Sequence, residues 1–287
     1  MLKDSAYGAD AILDYNGSAR YILLVDKNVH TLYVLDYDGG NRKLVHSFDC
    51  KTGKNQGNKQ VEGDQRTPEG VYFFVEKYDR NEIQRLVGRQ QAYQYGDMAY
   101  VMNFPNVLDR LKGKNGGGIW LHGTDKQFDQ TSPFDTQGCV VLSNDAIKVI
   151  SNYIDLYDTS IIIVESLSVD KIDTITSAKQ EILTMIEDWR ESWAEKRIDD
   201  YIDFYSPYFS SQGKNRDQWK IDKSYLATIN GNVTISLDDF TVMRHNDGLL
   251  VQFKQTYSAA NLNSIGIKTL YLVPGADSWK IISEGFR

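Results

Sequence analysis

Gly118-Ile119-Trp120-Leu121-His122-Gly123-Thr124, and after a polar loop Thr136-Gln137-Gly138-Cys139-Val140-Val141-Leu142-Ser143-Asn144, is the stretch on which the reading turns. A strand-sized apolar run delivers a histidine at its end, and a cysteine follows 17 positions later between a glycine and a second short apolar run. Thiol catalysis needs these parts. The thiolate is the nucleophile, and a nearby imidazole takes its proton and later returns one to the departing amine. Gly138 lets a carbonyl-bearing substrate approach the backbone, and the N–H groups of Gly138 and Cys139 are the candidate oxyanion donors. Gly123, without a Cβ, offers its carbonyl to the proton-bearing nitrogen of His122. Taken alone, however, a cysteine is commonly a small buried hydrophobe and a histidine a satisfied strand-end residue, so chemistry by itself leaves both readings open.

Outward from this stretch, bulk properties narrow the class. The chain has 287 residues, 41% apolar and 25% charged, enough for two cores. A net charge of −7 argues against a nucleic-acid partner, which requires a basic footprint. No apolar run is long enough to span a bilayer. The start, Met1-Leu2-Lys3-Asp4-Ser5, has no charged-then-apolar leader. That fits a cytoplasmic protein or one whose signal peptide has been removed, and the chemistry below favours the second. There are two cysteines, Cys50 and Cys139, and four scattered histidines. Neither a disulfide framework nor a metal site is expected from such spacing, and no cofactor is implied.

Residues 1–18 read as a lead-in arm with a short helix near 9–13. From residue 21 the texture is β: strands are expected at 21–26, 31–36, 44–49, 71–76, 98–103, 119–121 and 160–165, with turn clusters between them. Residues 79–94 read as helical or irregular, and 144–152 as a helix. The texture changes after Ser166. A polar linker at 167–177 leads into a helix at 178–196, where Ile182, Ile186, Trp189 and Trp193 form one stripe. A second helix at 198–205 precedes strands at 233–243, 249–258, 265–273 and 279–284. The expected domains are thus an arm (1–18), a mainly-β domain with short helices (19–166), a linker (167–177) and an α+β domain (178–287).

The quoted residues resemble the L,D-transpeptidase catalytic domain, the YkuD family. The signature is a His-Gly, a loop, a Ser/Thr-x-Gly-Cys and an Asn, here His122-Gly123, Thr136-Gln137-Gly138-Cys139 and Asn144. Two upstream blocks also match: Gly63-Asp64-Gln65-Arg66-Thr67-Pro68-Glu69-Gly70, and Asn103-Phe104-Pro105-Asn106 with Asp109-Arg110, Gly113-Lys114 and Gly116 to Gly118. The resemblance covers about residues 20–165. It implies a β-sandwich-like catalytic domain, a Cys139 thioester, and peptidoglycan peptide stems containing meso-diaminopimelate as partners.

One departure matters. Conventional members usually carry Arg two residues after the cysteine, and often His or Arg two residues before it. Here Val141 and Gln137 stand there. This is similar to the branch that acts as L,D-carboxypeptidase in setting cell shape, trimming tetrapeptide stems to tripeptides. A cross-linking L,D-transpeptidase and a cell-wall binding scaffold are the alternatives. The C-terminal part resembles the cone-shaped fold shared by nuclear transport factor and ketosteroid isomerase, which implies a glycan or protein partner there.

Further candidates come with two readings each. Trp120, Thr124, Asn103, Thr136, Gln137 and Asp109 are candidate substrate contacts. For Trp120, core packing competes; for Asn103, Asp109 and Lys114, loop capping competes. Asp64, Arg66 and Thr67 are either substrate contacts or a structural loop in which Asp caps backbone N–H groups. The aromatics Trp189, Trp193, Tyr205, Tyr208, Phe209 and Trp219 line a ligand pocket or form plain core.

Overall fold

The computed structural model describes residues 11–17, 19–38, 41–128, 132–167 and 172–287. The chain divides into two compact units, one within Ser18–Val169 and the other drawing on Ala9–Gly17 and Asp170–Arg287. The first described strand, β1 (Ile12–Tyr15), belongs to the second unit: it pairs antiparallel with a strand there, Tyr15 opposite Thr241. The helix expected near 9–13 is therefore corrected to a strand over its described part. Ile12, Leu13 and Tyr15 gain burial by extending an existing sheet edge, and a short peptide has no comparable reason to pay helix nucleation. Residues 1–10 of the expected arm lie outside the described residues.

In the first unit the β-branched runs become β2 (Tyr21–Asp26), β3 (Thr31–Asp38), β4 (Asn41–Asp49), β5 (Thr52–Gly53) and β6 (Gly70–Asp79). Then come α1 (Arg80–Val87), α2 (Arg89–Ala92), β7 (Met98–Met102), α3 (Val107–Leu111), β8 (Trp120–His122), β9 (Phe134–Thr136), β10 (Val140–Val141), α4 (Asn144–Ile150) and β11 (Ser160–Val164). Eight strands form one sheet in the order β10-β8-β7-β6-β11-β2-β3-β4, and β5 pairs with β9 apart from it. Strand β6 is the joint. Its first half pairs with β11 and its second half with β7, with a register break between Phe74 and Glu76. Alternate residues from both halves, among them Leu23, Val34, Tyr72, Tyr100, Leu121 and Ile161, enter a single core with Ile147 and Ile150 of α4. The strand period of two thus directs one side of each strand inward.

The second unit starts with α5 (Ile172–Ala194), which takes in residues assigned above to the linker, and α6 (Ile198–Asp203). After β12 (Ser210–Ser211) and β13 (Lys214–Asn215) comes α7 (Arg216–Ile229), a helix not foreseen from the sequence. Asn215 caps it reciprocally with Gln218. Long strands β14 (Thr234–His245), β15 (Gly248–Ala259), β16 (Leu262–Pro274) and β17 (Trp279–Phe286) make an antiparallel meander, with β1 on its outer edge. The α5 stripe of Ile182, Ile186, Trp189 and Trp193 is buried against this sheet's residues, such as Val251 and Leu270. Each such side chain contributes about 1.5–3 kcal/mol by leaving water.

The aromatic residues of this unit form core. Trp189, Trp193, Tyr205, Phe209 and Trp219 belong to one buried cluster, while Tyr208 is 82% exposed. Inside that core sits a polar group of residues. Lys268 is ion-paired with Glu284, which also accepts from the Tyr205 hydroxyl at 2.7 Å; Tyr205 in turn contacts Tyr201 and accepts from the Trp189 indole at 3.0 Å. Burial pushes the Glu284 carboxyl up, but Lys268 and Lys223 prevail and hold it below its ordinary value. The Lys223 ammonium stands 4.7 Å from the ring centroids of both Trp193 and Trp219.

Candidate active site

Strand β8 ends in His122, and β10 follows Cys139 directly. These two strands pair in parallel, Leu121 beside Val140 and His122 beside Val141. That pairing carries Cys139 back to the strand bearing the histidine, and both residues line one cavity of about 590 Å³. Tyr95, Thr124, Thr136 and Gln137 line it too. Cys139 is half-buried and its thiol points to the Gly118 carbonyl at 3.6 Å; Cys50 is buried in the core, and both thiols are free.

The histidine is held by its own strand end. Nδ1 lies 2.6 Å from the Gly123 carbonyl oxygen, so the proton-bearing nitrogen is fixed there and Nε2 is left for chemistry. Gly123 has no room for a side chain: a Cβ would stand 2.4 Å from the Asn144 Oδ1, and one on Gly96 only 2.1 Å from it. Asn144, the first residue of α4, accepts from the Asp97 N–H at 3.0 Å and donates to Asp125 at 2.7 Å. Arg80 closes the assembly, bonding both Asp125 oxygens and Asp97, and Lys148 pairs with Asp97 at 2.7 Å. This clamp pins the loops before β7 and after β8 to the start of α4. Asp125 and Asp97 carboxyls are kept below their ordinary values chiefly by Arg80 and by Lys148, respectively.

The loop that carries Cys139 is braced from below. Gly138 has φ +127, and a Cβ there would meet the Arg66 carbonyl oxygen at 2.7 Å. Thr136 Oγ1 accepts the Gly138 N–H at 3.0 Å and donates to the Cys139 carbonyl at 2.8 Å. The Gly138 N–H is therefore already engaged, which leaves the Cys139 N–H as the remaining candidate of the two expected oxyanion donors. The Asp64 block supports Arg66: Asp64 takes backbone N–H groups of Gln60, Val61 and Arg66 and the Lys59 ammonium at 2.8 Å. Burial opposes these bonds, yet together they hold the Asp64 carboxyl down to about 2. Thr67 accepts the Gly53 N–H at 2.8 Å. Of the two readings for this block, the loop-building one describes Asp64 and Thr67.

Burial dominates the electrostatics of the reacting pair. It pushes the His122 imidazole down to about 4, with the Gly123 carbonyl working against it and Lys126 adding to it. It pushes the Cys139 thiol up to about 11, although the Trp120 N–H and the Lys59 charge favour the thiolate. Both shifts favour the neutral forms, thiol and imidazole.

Other sequence candidates separate cleanly. Asn103 and Asp109 are not brought to the cavity. The Asn103 side chain accepts the Phe73 N–H at 2.9 Å, and fully buried Asp109 pairs with Lys114 at 2.9 Å beneath the Asn106 cap of α3. Trp120 is one layer back, its ring 5.2 Å from that of Tyr95. Tyr95, whose ring lies 4.8 Å from His122, was not singled out by any motif, and neither were Arg80, Asp97 and Asp125. No cluster of metal-ligating side chains occurs among the described residues.

A mainly-β unit with a Cys–His cavity is thus followed in the chain by an α+β unit built on an antiparallel meander. The chain belongs to the L,D-transpeptidase catalytic domain family, YkuD, whose profile matches residues 20–163. Residues 181–285 match the Cds6 C-terminal NTF2-like domain. Among solved structures, Bd1075 of Bdellovibrio bacteriovorus is 29% identical, with a TM-score of 0.81 and 96% of each chain covered. Pgp2 of Campylobacter jejuni, described as a helical cell shape determining protein, is 23% identical, with a TM-score of 0.73 over 99% of this chain and 96% of that one. No curated protein matches the chain. Among the described residues, no helix is long and apolar enough to cross a membrane.

Proposed function

We propose that the protein is a periplasmic L,D-carboxypeptidase that removes the terminal D-alanine from tetrapeptide stems of peptidoglycan. The observation that carries this is the parallel β8–β10 pairing, which puts Cys139 and His122 on one cavity with Nδ1 of His122 already committed to Gly123. The Cys139 proton passes to Nε2 as sulfur attacks the carbonyl carbon at the L-centre of the third residue. The Cys139 N–H stabilises the oxyanion. The carbon–nitrogen bond to D-alanine breaks, and the leaving amine takes the proton from His122. Water then adds to the thioester, His122 takes its proton, and a tripeptide acid leaves with the thiol restored. Thr124, Thr136 and Gln137 flank the stem in this scheme, and Trp120 backs Tyr95.

Val141 and Gln137 occupy positions where cross-linking members usually carry charged residues, which favours water over a second stem as acceptor. The shared two-domain fold with the Campylobacter protein supports a role in cell shape. The C-terminal unit would then engage glycan or a partner protein. Incubation with purified tetrapeptide muropeptides tests the reading: tripeptide and free D-alanine are expected. Cross-linked dimers would make it a transpeptidase, and unchanged muropeptides would leave a wall-binding scaffold.

A further inference from the structure

The charge of the cavity is opposite to that of the chain. The protein carries −7 overall, yet among the described residues its cavity is lined by Lys51, Lys54, Lys59 and Lys126 against Glu62 and Asp135. Concave sites concentrate the field of such groups, so this inversion favours anionic ligands.

The four ammoniums are not equivalent. Lys59 is buried and committed to Asp64 at 2.8 Å and to the Val61 carbonyl at 3.1 Å. Lys51 is buried too, bonded to the Ser132 carbonyl at 3.2 Å and standing 4.5 Å from the Phe128 ring. These two serve the wall of the cavity. Among the described residues Lys126 has only Asp135, at 3.7 Å, beyond ordinary hydrogen-bond length. Lys54 is exposed, and its ammonium has no partner among the described residues. Backbone geometry ties both to the reacting pair. The Lys54 N–H donates to the Thr136 carbonyl at 2.9 Å, and the Lys126 N–H bonds to Thr124 Oγ1 at 3.2 Å, two residues beyond His122.

We propose that Lys54 and Lys126 are specificity-determining residues that read free carboxylates on the acyl donor, one on the leaving residue and one on the side chain of the residue before it. This rests on the carboxypeptidase reading and deepens it. A tetrapeptide stem with an unmodified meso-diaminopimelate offers both groups; amidating the side-chain carboxylate removes one charge while preserving shape. An ammonium–carboxylate hydrogen bond in a recess discriminates by roughly tenfold or more.

The test is calorimetric binding to the full chain carrying Cys139→Ala, which separates recognition from turnover. The probes are a synthetic tetrapeptide stem and the same peptide with that carboxylate amidated. The free stem is expected to bind about tenfold more tightly, an advantage that shrinks in 0.5 M salt, roughly the range where the Debye length falls toward 3 Å. Adding Lys54→Glu or Lys126→Glu should abolish the preference in at least one case, while Lys54→Arg and Lys126→Arg retain it. Equal affinity for the two peptides, including no measurable binding of either, overturns the proposal, as does a preference unchanged in both charge reversals. D-Alanine release by the unsubstituted protein is measured separately. Its absence with the binding preference intact would remove the carboxypeptidase reading and leave carboxylate recognition standing.

Discussion

Each unit holds a network of ionic and hydrogen-bonding side chains, buried in the second unit and partly exposed in the first, and the two differ in what lies beside them. In the second unit Lys268, Glu284, Tyr205, Tyr201 and Trp189 satisfy one another inside an aromatic core; the Glu284 side chain is 2% exposed. In the first unit Arg80, Asp97, Asp125 and Asn144 lock two glycines, Gly96 and Gly123, beside an open cavity that holds a thiol and an imidazole. Displaced titration occurs in both places. What distinguishes a candidate site is space next to the displaced groups, together with backbone forced close to them, and the first unit's network fixes Gly123, the residue after cavity-lining His122. The buried acid of the cone-like domain is, by this criterion, a structural ion pair.

The sharpest way to break this comparison is to remove a reacting group from one network's neighbourhood and a charge from the other. His122→Ala should lower turnover about a hundred- to ten-thousandfold, the range for losing a general base, with the protein still folded and only a modest stability loss from the vacated buried ring. Lys268→Met, which strands Glu284, should do the opposite. It should cost about 3–5 kcal/mol in denaturant unfolding, because a buried charge loses its partner, and leave acylation of Cys139 at neutral pH unaltered under native conditions. If Lys268→Met silenced acylation while the protein stayed folded, the division between structural and catalytic networks would fail.

A smaller effect sharpens it. Asn144→Ala frees the space over Gly123 and removes the Asn144 bonds to Asp97 and Asp125, leaving Arg80 as the link between them. Loss of about 1–3 kcal/mol of hydrogen bonding is expected, read as a tenfold or greater fall in kcat with KM little changed, because the clamp orients His122 and does not contact substrate. The smallest effect is on pH dependence. His122 titrates near 4 and Cys139 near 11 in the free protein. The imidazole is thus neutral, and the thiol protonated, throughout the interval between them. The kcat/KM profile should be flat from about pH 5 to 9, falling on the acid side as His122 gains a proton and loses its role as base. A break near 6.5 would show an imidazole in ordinary surroundings.

Much of this was legible in the sequence where local pattern and tertiary packing agree. Residues 21–26 and 160–164 are runs of β-branched and leucine side chains, and they became central strands buried on both faces. The α5 stripe at Ile182, Ile186, Trp189 and Trp193 has a helical period and a sheet to face. Helix α7 escaped because its pattern misleads. Of its residues only Trp219 is buried, while Ile221 and Tyr225 are 68% and 63% exposed. The usable signal was the Asn215–Gln218 capping pair. Strand β1 escaped for a different reason: its partner lies more than two hundred residues away, and a four-residue strand has no period of its own. In the site, Cys139, His122 and Gly123 stand in motifs with fixed spacing. Arg80, Asp97, Asp125 and Tyr95 are scattered polar residues that acquire a role only when three loops meet, and no local pattern marks such a meeting. Asn103 and Asp109 were attractive for being polar in a matching block, but folding spent their polarity on the Phe73 N–H and the Asn106 cap.

The central claim is that Cys139, alone of the two thiols, is the nucleophile. Intact-mass measurement followed by peptide mapping, after exposure to a carbapenem acylating agent at neutral pH, tests it most directly. A single adduct on the peptide containing Cys139, absent from Cys139→Ala and strongly slowed in His122→Ala, is the predicted result. An adduct that persists in Cys139→Ala, or that maps to the core thiol Cys50, would contradict the account.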